Sequence, residues 1–185
     1  AIEFMSESIQ RLLKVQPASS GGELDVGSLT SAALKAAQVA MHNALPLFMQ
    51  LPYGTSDDLR FEQFLQGLVA RMKMLQPGDL VVLPGGWCTG ASDDEGNIAQ
   101  HFCLYLVQRR EDDRNLCRFA VVNTGDAEVY HPYRVDIESS KVRRMLSLAL
   151  DDVPFDRIRD ASFWFMAYRL LVYPTKDHGP RVLFE

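Results

Sequence analysis

The sequence contains no apolar run approaching the roughly 18 residues that a membrane-crossing helix needs. No signal-peptide pattern is visible either. A membrane is therefore not an expected partner. Positive charge is scarce: 19 Lys and Arg stand against 24 Asp and Glu, for a net charge of -5. An acidic surface repels phosphate backbones. The one basic cluster, Lys141, Arg143 and Arg144, is short and falls in a helical pattern, so it reads as a solvated helix face. Nucleic acid is not an expected partner. Cysteine is sparse and odd in number, with Cys88, Cys103 and Cys117. Cys103 and Cys117 lie in apolar, strand-like runs where free thiols are commonly buried. That usage argues against a disulfide framework and for a reducing, cytoplasmic compartment.

Several site types are also missing. There is no Cys-x-x-Cys pair to make a zinc set of His101 and Cys103 with Cys88 or His131. Pro84-Gly85-Gly86 lacks the Lys-Ser/Thr of a phosphate loop. Asp93-Asp94-Glu95 lacks calcium-loop spacing. No metal and no cofactor is expected.

What remains is ordinary globular usage, with 47% hydrophobic and 23% charged residues over 185 positions. That length fits one domain able to bury a sizeable core. Ala1-Ile2-Glu3-Phe4 precedes Met5 and reads as a cloning scar. Residues 5–185 then form the domain, and the apolar close Val182-Leu183-Phe184 leads us to expect the N-terminal domain of a larger protein.

The chain reads as helices, then strands, then helices. Ser6 opens a short helix with Ile9, Leu12 and Leu13 on one face, and 17–22 is a polar loop. Residues 28–50 read as a long alanine-rich helix that Pro46 should kink or end near Ala44. Ser56 is the expected N-cap of a third helix reaching Leu75, with Asp57 and Asp58 in its first turn. Its apolar stripe is Leu59, Phe61, Phe64, Leu65, Leu68, Val69 and Met72.

Leu80 to Leu83 reads as a strand stopped by Pro84-Gly85-Gly86, and Trp87 to Asn97 as an exposed loop. Strands are expected at 101–107, at 117–122 and around 128–131, as an antiparallel meander. Lys141 to Leu150 carries Val142, Met145, Leu146 and Leu148 on helical spacing, with Asp151 and Asp152 ending that helix or starting a turn. Asp160 to Val172 is expected as the last helix. The fold class is α+β: a helical N-terminal half on a small antiparallel sheet of about four strands, followed by C-terminal helices.

The chemistry-bearing stretch is Gly78-Asp79-Leu80-Val81-Val82-Leu83, then Gln100-His101-Phe102-Cys103, then Val121-Val122-Asn123-Thr124-Gly125-Asp126. Over residues 28 to 131 it resembles the second half of papain-like and bacteriocin-processing-type cysteine peptidase domains. The resemblance implies a papain-like-related arrangement. In it a His begins one strand, an Asn ends its neighbour, and a Cys opens an upstream helix. A base needs a third group to hold its ring, and a hairpin brings the two together.

His101 and Asn123 match that order. The sequence departs at the nucleophile, since no Cys lies upstream of Cys88. Ser28, Thr30, Ser31, Thr55 and Ser56 hold the helix-opening positions. Cys88 keeps the Cys-His-Asn order only from within a loop. The leading expectation is a non-catalytic protein-interaction or scaffolding domain of papain-like form. It would bind a protein partner or another part of the same larger protein, and Trp87, Trp164 and Phe165 are the candidate binding residues. The alternative is a cysteine-type hydrolase of peptide or isopeptide bonds using Cys88, His101 and Asn123.

Overall fold

The alternation Cys103, Tyr105, Val107 in one segment and Cys117, Phe119, Val121 in the next builds the core of a sheet. All six side chains are buried, while the residues between them are exposed or half-buried. The computed structural model describes residues 45–92, 98–123, 133–136, 141–145 and 147–173, with residues 35, 38–40, 42–43 and 131. Among them, β1 (Leu80–Ser92), β2 (Ile98–Arg109) and β3 (Leu116–Val122) form an antiparallel meander. β4 (Tyr133–Asp136) and β5 (Lys141–Arg144) pair as a separate two-stranded sheet. β6 (Ser147–Pro154) returns to β3, giving a four-stranded sheet in the order β1-β2-β3-β6.

Helices cover both faces of this sheet. Before β1 comes α1 (Asp58–Lys73), and after β6 come α2 (Phe155–Ile158) and α3 (Ala161–Val172). α1 buries Phe61, Phe64, Leu65, Leu68 and Met72, the stripe expected from its spacing. α3 buries Trp164, Ala167, Tyr168, Leu171 and Val172 against the same core. Two phenols pin α3 to the sheet: Tyr105 donates to the Ala167 carbonyl at 3.2 Å, and Tyr168 donates to the Pro84 carbonyl at 2.8 Å. On the other face Val82, Leu104 and Leu106 pack on Ala40, Leu45 and Phe48. The α+β class therefore holds.

Several local expectations are corrected. β1 runs straight through Pro84-Gly85-Gly86 to Ser92. Proline is tolerated because β1 is an outer strand. The glycines permit close approach: a Cβ on Gly85 would lie 2.3 Å from the Tyr105 ring, and one on Gly86 would lie 2.0 Å from the His101 carbonyl oxygen. Gly86 also has φ +140°, which L side chains rarely adopt. Trp87 and Cys88 are buried strand residues, not part of an exposed loop.

Residues 141–144 and 147–150 are strands, in β5 and β6, where one helix from Lys141 to Leu150 was expected. Leu146, Leu148 and Leu150 also alternate with period two, and Leu148 and Leu150 pair with Val121 and Phe119 of β3. A strand's need for a partner outweighs a locally ambiguous spacing. Asp151 and Asp152 lie inside β6, where the register shifts and Asp152 has φ 60°. Of the expected fourth strand, His131 is a bend and residues 128–130 lie outside the described residues.

The cap of α1 is Asp57, whose carboxylate accepts from the Arg60 N–H at 3.0 Å; Ser56 has φ 51° and does not cap. Residues 45–48 are helical despite Pro46, since the turn is closed by Met49 N–H donating to the Leu45 carbonyl at 3.0 Å. The helix expected near Ser6 and the opening of the alanine-rich helix lie outside the described residues.

Candidate functional site

His101 lies inside β2, which begins at Ile98 and not at His101 as expected from the sequence, and Asn123 follows the end of β3. The register Tyr105↔Val121 brings the two residues together. His101 Nε2 lies 2.7 Å from Asn123 Oδ1. The carboxamide oxygen has no hydrogen to give, so Nε2 carries the proton and Nδ1 of the neutral ring keeps a lone pair. Asn123 is 1% exposed, while His101 is half-buried. Trp87 is the cross-strand partner of His101, and the two rings stack with centroids 4.3 Å apart at 23°. The ring of His101 is thus fixed on one edge by an amide and on one face by an indole.

Gly86 completes this arrangement. Its missing side chain lets β1 close onto the His101 backbone. In the sequence its role is hidden by the turn signature of Pro84-Gly85-Gly86. The positive φ that makes glycine necessary is a property of the paired strands.

The thiol of Cys88 goes elsewhere. Cys88 pairs across the strands with Gln100, one position from His101. Its Sγ donates to the Leu171 carbonyl at 3.3 Å, and the residue is fully buried. Leu171 lies in the last turn of α3, whose carbonyls carry the negative end of the helix dipole. Reactive thiolates are instead found beside positive charge or at helix N-termini. Burial pushes the Cys88 thiol up from its ordinary value. Its neighbour Tyr53, raised by burial and by Cys88, has a buried hydroxyl without a hydrogen-bond partner among the described residues. Among the described residues, the hydrogen-bond partner of His101 is Asn123, not a thiol or hydroxyl. The structure brings His101 and Asn123 together and gives the Cys88 thiol a different partner.

The other candidates separate in the same way. Ser56 is exposed at the start of α1, where its N–H donates to the Val172 carbonyl at 3.2 Å. Ser28, Thr30 and Ser31 lie outside the described residues. Trp164 is a core residue whose Nε1 donates to the Ile158 carbonyl at 2.6 Å. Trp87 is likewise buried. Burial takes both indoles away from any surface role. Phe165 is 40% exposed and packs on Phe61 at 5.5 Å, so it alone of the three presents ring surface. Phe102, Tyr133, Met145, Leu150 and Met166 are further exposed apolar side chains.

Cys103 is pushed up to about 12, chiefly by burial, and burial also raises Cys117. No group of three or more His, Cys, Asp or Glu side chains that could hold a metal ion exists among the described residues. One open groove of about 540 Å³ is lined by Arg110, Asp112, Arg118, Asp151 and Asp152, and another of about 450 Å³ by Lys35, Val39, Asn43 and Leu80. Neither includes His101. No helix of the described residues is long and apolar enough to cross a membrane. No family model, curated protein or solved structure matches the chain.

Proposed function

We propose that this chain is a non-catalytic protein-interaction or scaffolding domain of papain-like form, acting in a reducing, cytoplasmic setting on a protein partner. The observation that carries this reading is the placement of Cys88. A nucleophilic thiol needs access, a base and a positive environment. Cys88 is buried, donates to a carbonyl, and faces the negative end of a helix. The three free thiols, all buried, fit a reducing compartment. The exposed Phe165 and the apolar side chains on other elements offer binding surface.

One observation favours a second reading. The bond between His101 Nε2 and Asn123 Oδ1 fixes the tautomer that a general base requires, leaving Nδ1 ready to accept a proton. A hydrolase of peptide or isopeptide bonds would use that pair with Cys88 as nucleophile, after the thiol had left Leu171. The two readings are separated by turnover. The parent chain and His101→Ala are incubated with fluorogenic peptide and isopeptide substrates. Both are expected to match the buffer blank. Turnover by the parent that His101→Ala abolishes would replace the first reading with the second.

A further inference from the structure

The two long helices differ in what they show to solvent. α1 turns Arg60, Glu62, Gln63 and Gln66 outward. α3 has one charged residue, Arg169, in its 12 positions. A helix that is apolar all round is normally covered on every side. The inner face of α3 is covered by the core through Trp164, Tyr168 and Leu171. On the outer face Phe165 is 40% exposed and Met166 is 52% exposed. Arg169 follows them by four and three residues, so the three side chains are neighbours on the helix surface.

Arg169 lacks what comparable arginines have. Arg71, Arg109 and Arg110 are also half-buried, and each gives its guanidinium to an oxygen: Asn43 O, Leu75 O and the Asp152 carboxylate. Arg169 is half-buried too, yet its Nε is shut off from water without a hydrogen-bond partner among the described residues. No ion pair among the described residues includes it. Asp58, which the end of α3 reaches one turn further on, is taken by the Tyr173 phenol at 2.5 Å. A donor buried without an acceptor is unfavourable, and a partner that brings the acceptor relieves it. The ligand that matches a guanidinium edge is a carboxylate, held by two parallel N–H bonds once the side chain turns outward. Aromatic, Met and Arg side chains together are also the composition of an interface centre. The phenyl and thioether flanks suit apolar side chains, and a net charge of -5 disfavours a phosphate chain.

We propose that Phe165, Met166 and Arg169 form a docking face, and that its occupant is a segment of a partner protein that sets an Asp or Glu among apolar side chains. The assignment rests on the interaction reading and names its surface and the chemistry of its partner. The carboxylate pairs with Arg169, and the apolar side chains cover Phe165 and Met166.

Panning a phage-displayed dodecapeptide library on the whole chain tests the face. Enriched peptides are then synthesised with a fluorophore and titrated by polarisation. They are expected to share an acidic residue beside apolar ones. Arg169→Gln is expected to weaken binding at least about tenfold, with an unchanged unfolding midpoint. Replacing the peptide's acid by its amide should cost the parent the same factor and the Arg169→Gln variant little, because the two groups act as a pair. Should Arg169→Gln disturb the fold, Met166→Glu, at an exposed position, sets like charge against the peptide and is expected to give the same loss. Leu59→Lys, exposed on α1 outside its buried stripe, is expected to bind as the parent does. No enrichment over the blank support, enriched peptides without an acid, or binding indifferent to Arg169→Gln would overturn the proposal. So would self-association in sedimentation that Arg169→Gln dissolves, which would put a second copy on this face. The turnover assay fails separately: a blank there with no peptide captured here strikes this face alone, whereas turnover strikes the interaction reading itself.

Discussion

At the scale of single residues, the buried polar contacts make the sharpest commitments. Asn123 is almost wholly buried and accepts the one hydrogen bond that orients His101. Asn123→Ala leaves the Nε2–H without its acceptor and is expected to cost about 1–3 kcal/mol, read from urea unfolding. An unfolding midpoint identical to the parent's would mean that the pair is not formed. Two carboxylates, Asp112 in the turn between β2 and β3 and Asp160 at the cap of α3, commit to a pH dependence. Hydrogen bonding from Arg110 holds Asp112 down to about 2, and the Ser162 backbone and side chain hold Asp160 below the usual range. Both folded values are depressed. Their contribution is therefore present above the ordinary Asp value and is lost as pH falls through the folded one. Thermal midpoints are expected to drop between about pH 4 and pH 2, and Arg110→Gln is expected to shrink the part due to Asp112. Asp112 is exposed and Asp160 partly so, hence the effect is small and fades with salt.

At the scale of elements, two glycines of different context should behave oppositely. Gly86→Ala would drive a Cβ into the His101 carbonyl at a φ of +140°, so the paired strands must part. The expected cost is above about 3 kcal/mol, with loss of the Trp87–His101 stacking in near-ultraviolet dichroism. Gly67→Ala in α1 meets only the flexible end of Leu47, at 3.2 Å. The gain in helix propensity is about 1 kcal/mol, so this variant should stay within that amount of the parent. Arg109 is a staple between elements. Its guanidinium donates to Leu75 O after α1 at 2.6 Å and to Arg114 O in the hairpin at 3.0 Å, and lies 3.9 Å from the Phe155 ring centroid. Arg109→Ala is expected to cost about 2 kcal/mol or more, since charge-assisted bonds and ring contact go together.

The same scale explains what could be read from the residues alone. Phe61, Phe64, Leu65, Leu68 and Met72 announced α1 because a long stripe at one period has a single interpretation. Asp160 to Val172 was equally legible, with Asp160 as the observed cap. His101 and Asn123 were legible because a hairpin brings an early residue of its first strand beside the residue that ends its second. Leu146, Leu148 and Leu150 were not, since helical and alternating periods overlap over so short a run. Gly85, Gly86, Trp87 and Cys88 were misread for a related reason. A Pro-Gly-Gly signature normally ends a strand, and only the Tyr105 ring and the His101 backbone across the pair explain why it continues.

At the scale of the whole molecule, the sheet is a shared wall. One face holds α1 and α3 through Tyr105 and Tyr168, and the other holds the residues around Phe48. The His101–Asn123 pair lies just beyond the end of the β2–β3 ladder at Leu104↔Val122, while Cys88 reaches across to the last turn of α3. Because the thiol is tied to a helix carbonyl of the main core, freeing it for chemistry would require local opening of β1 from α3. Whether the domain is non-catalytic therefore turns on one thiol, and its alkylation is the most direct test. Site-resolved labelling of Cys88 by iodoacetamide is followed from pH 6 to pH 9, about the range over which a free thiol titrates. The folded chain should label Cys88 far more slowly than an unstructured cysteine peptide at every pH, and denaturant should bring it to the peptide's rate. Labelling of folded Cys88 faster than the peptide, with a midpoint below the ordinary thiol range, would contradict the account and make this chain a cysteine hydrolase candidate.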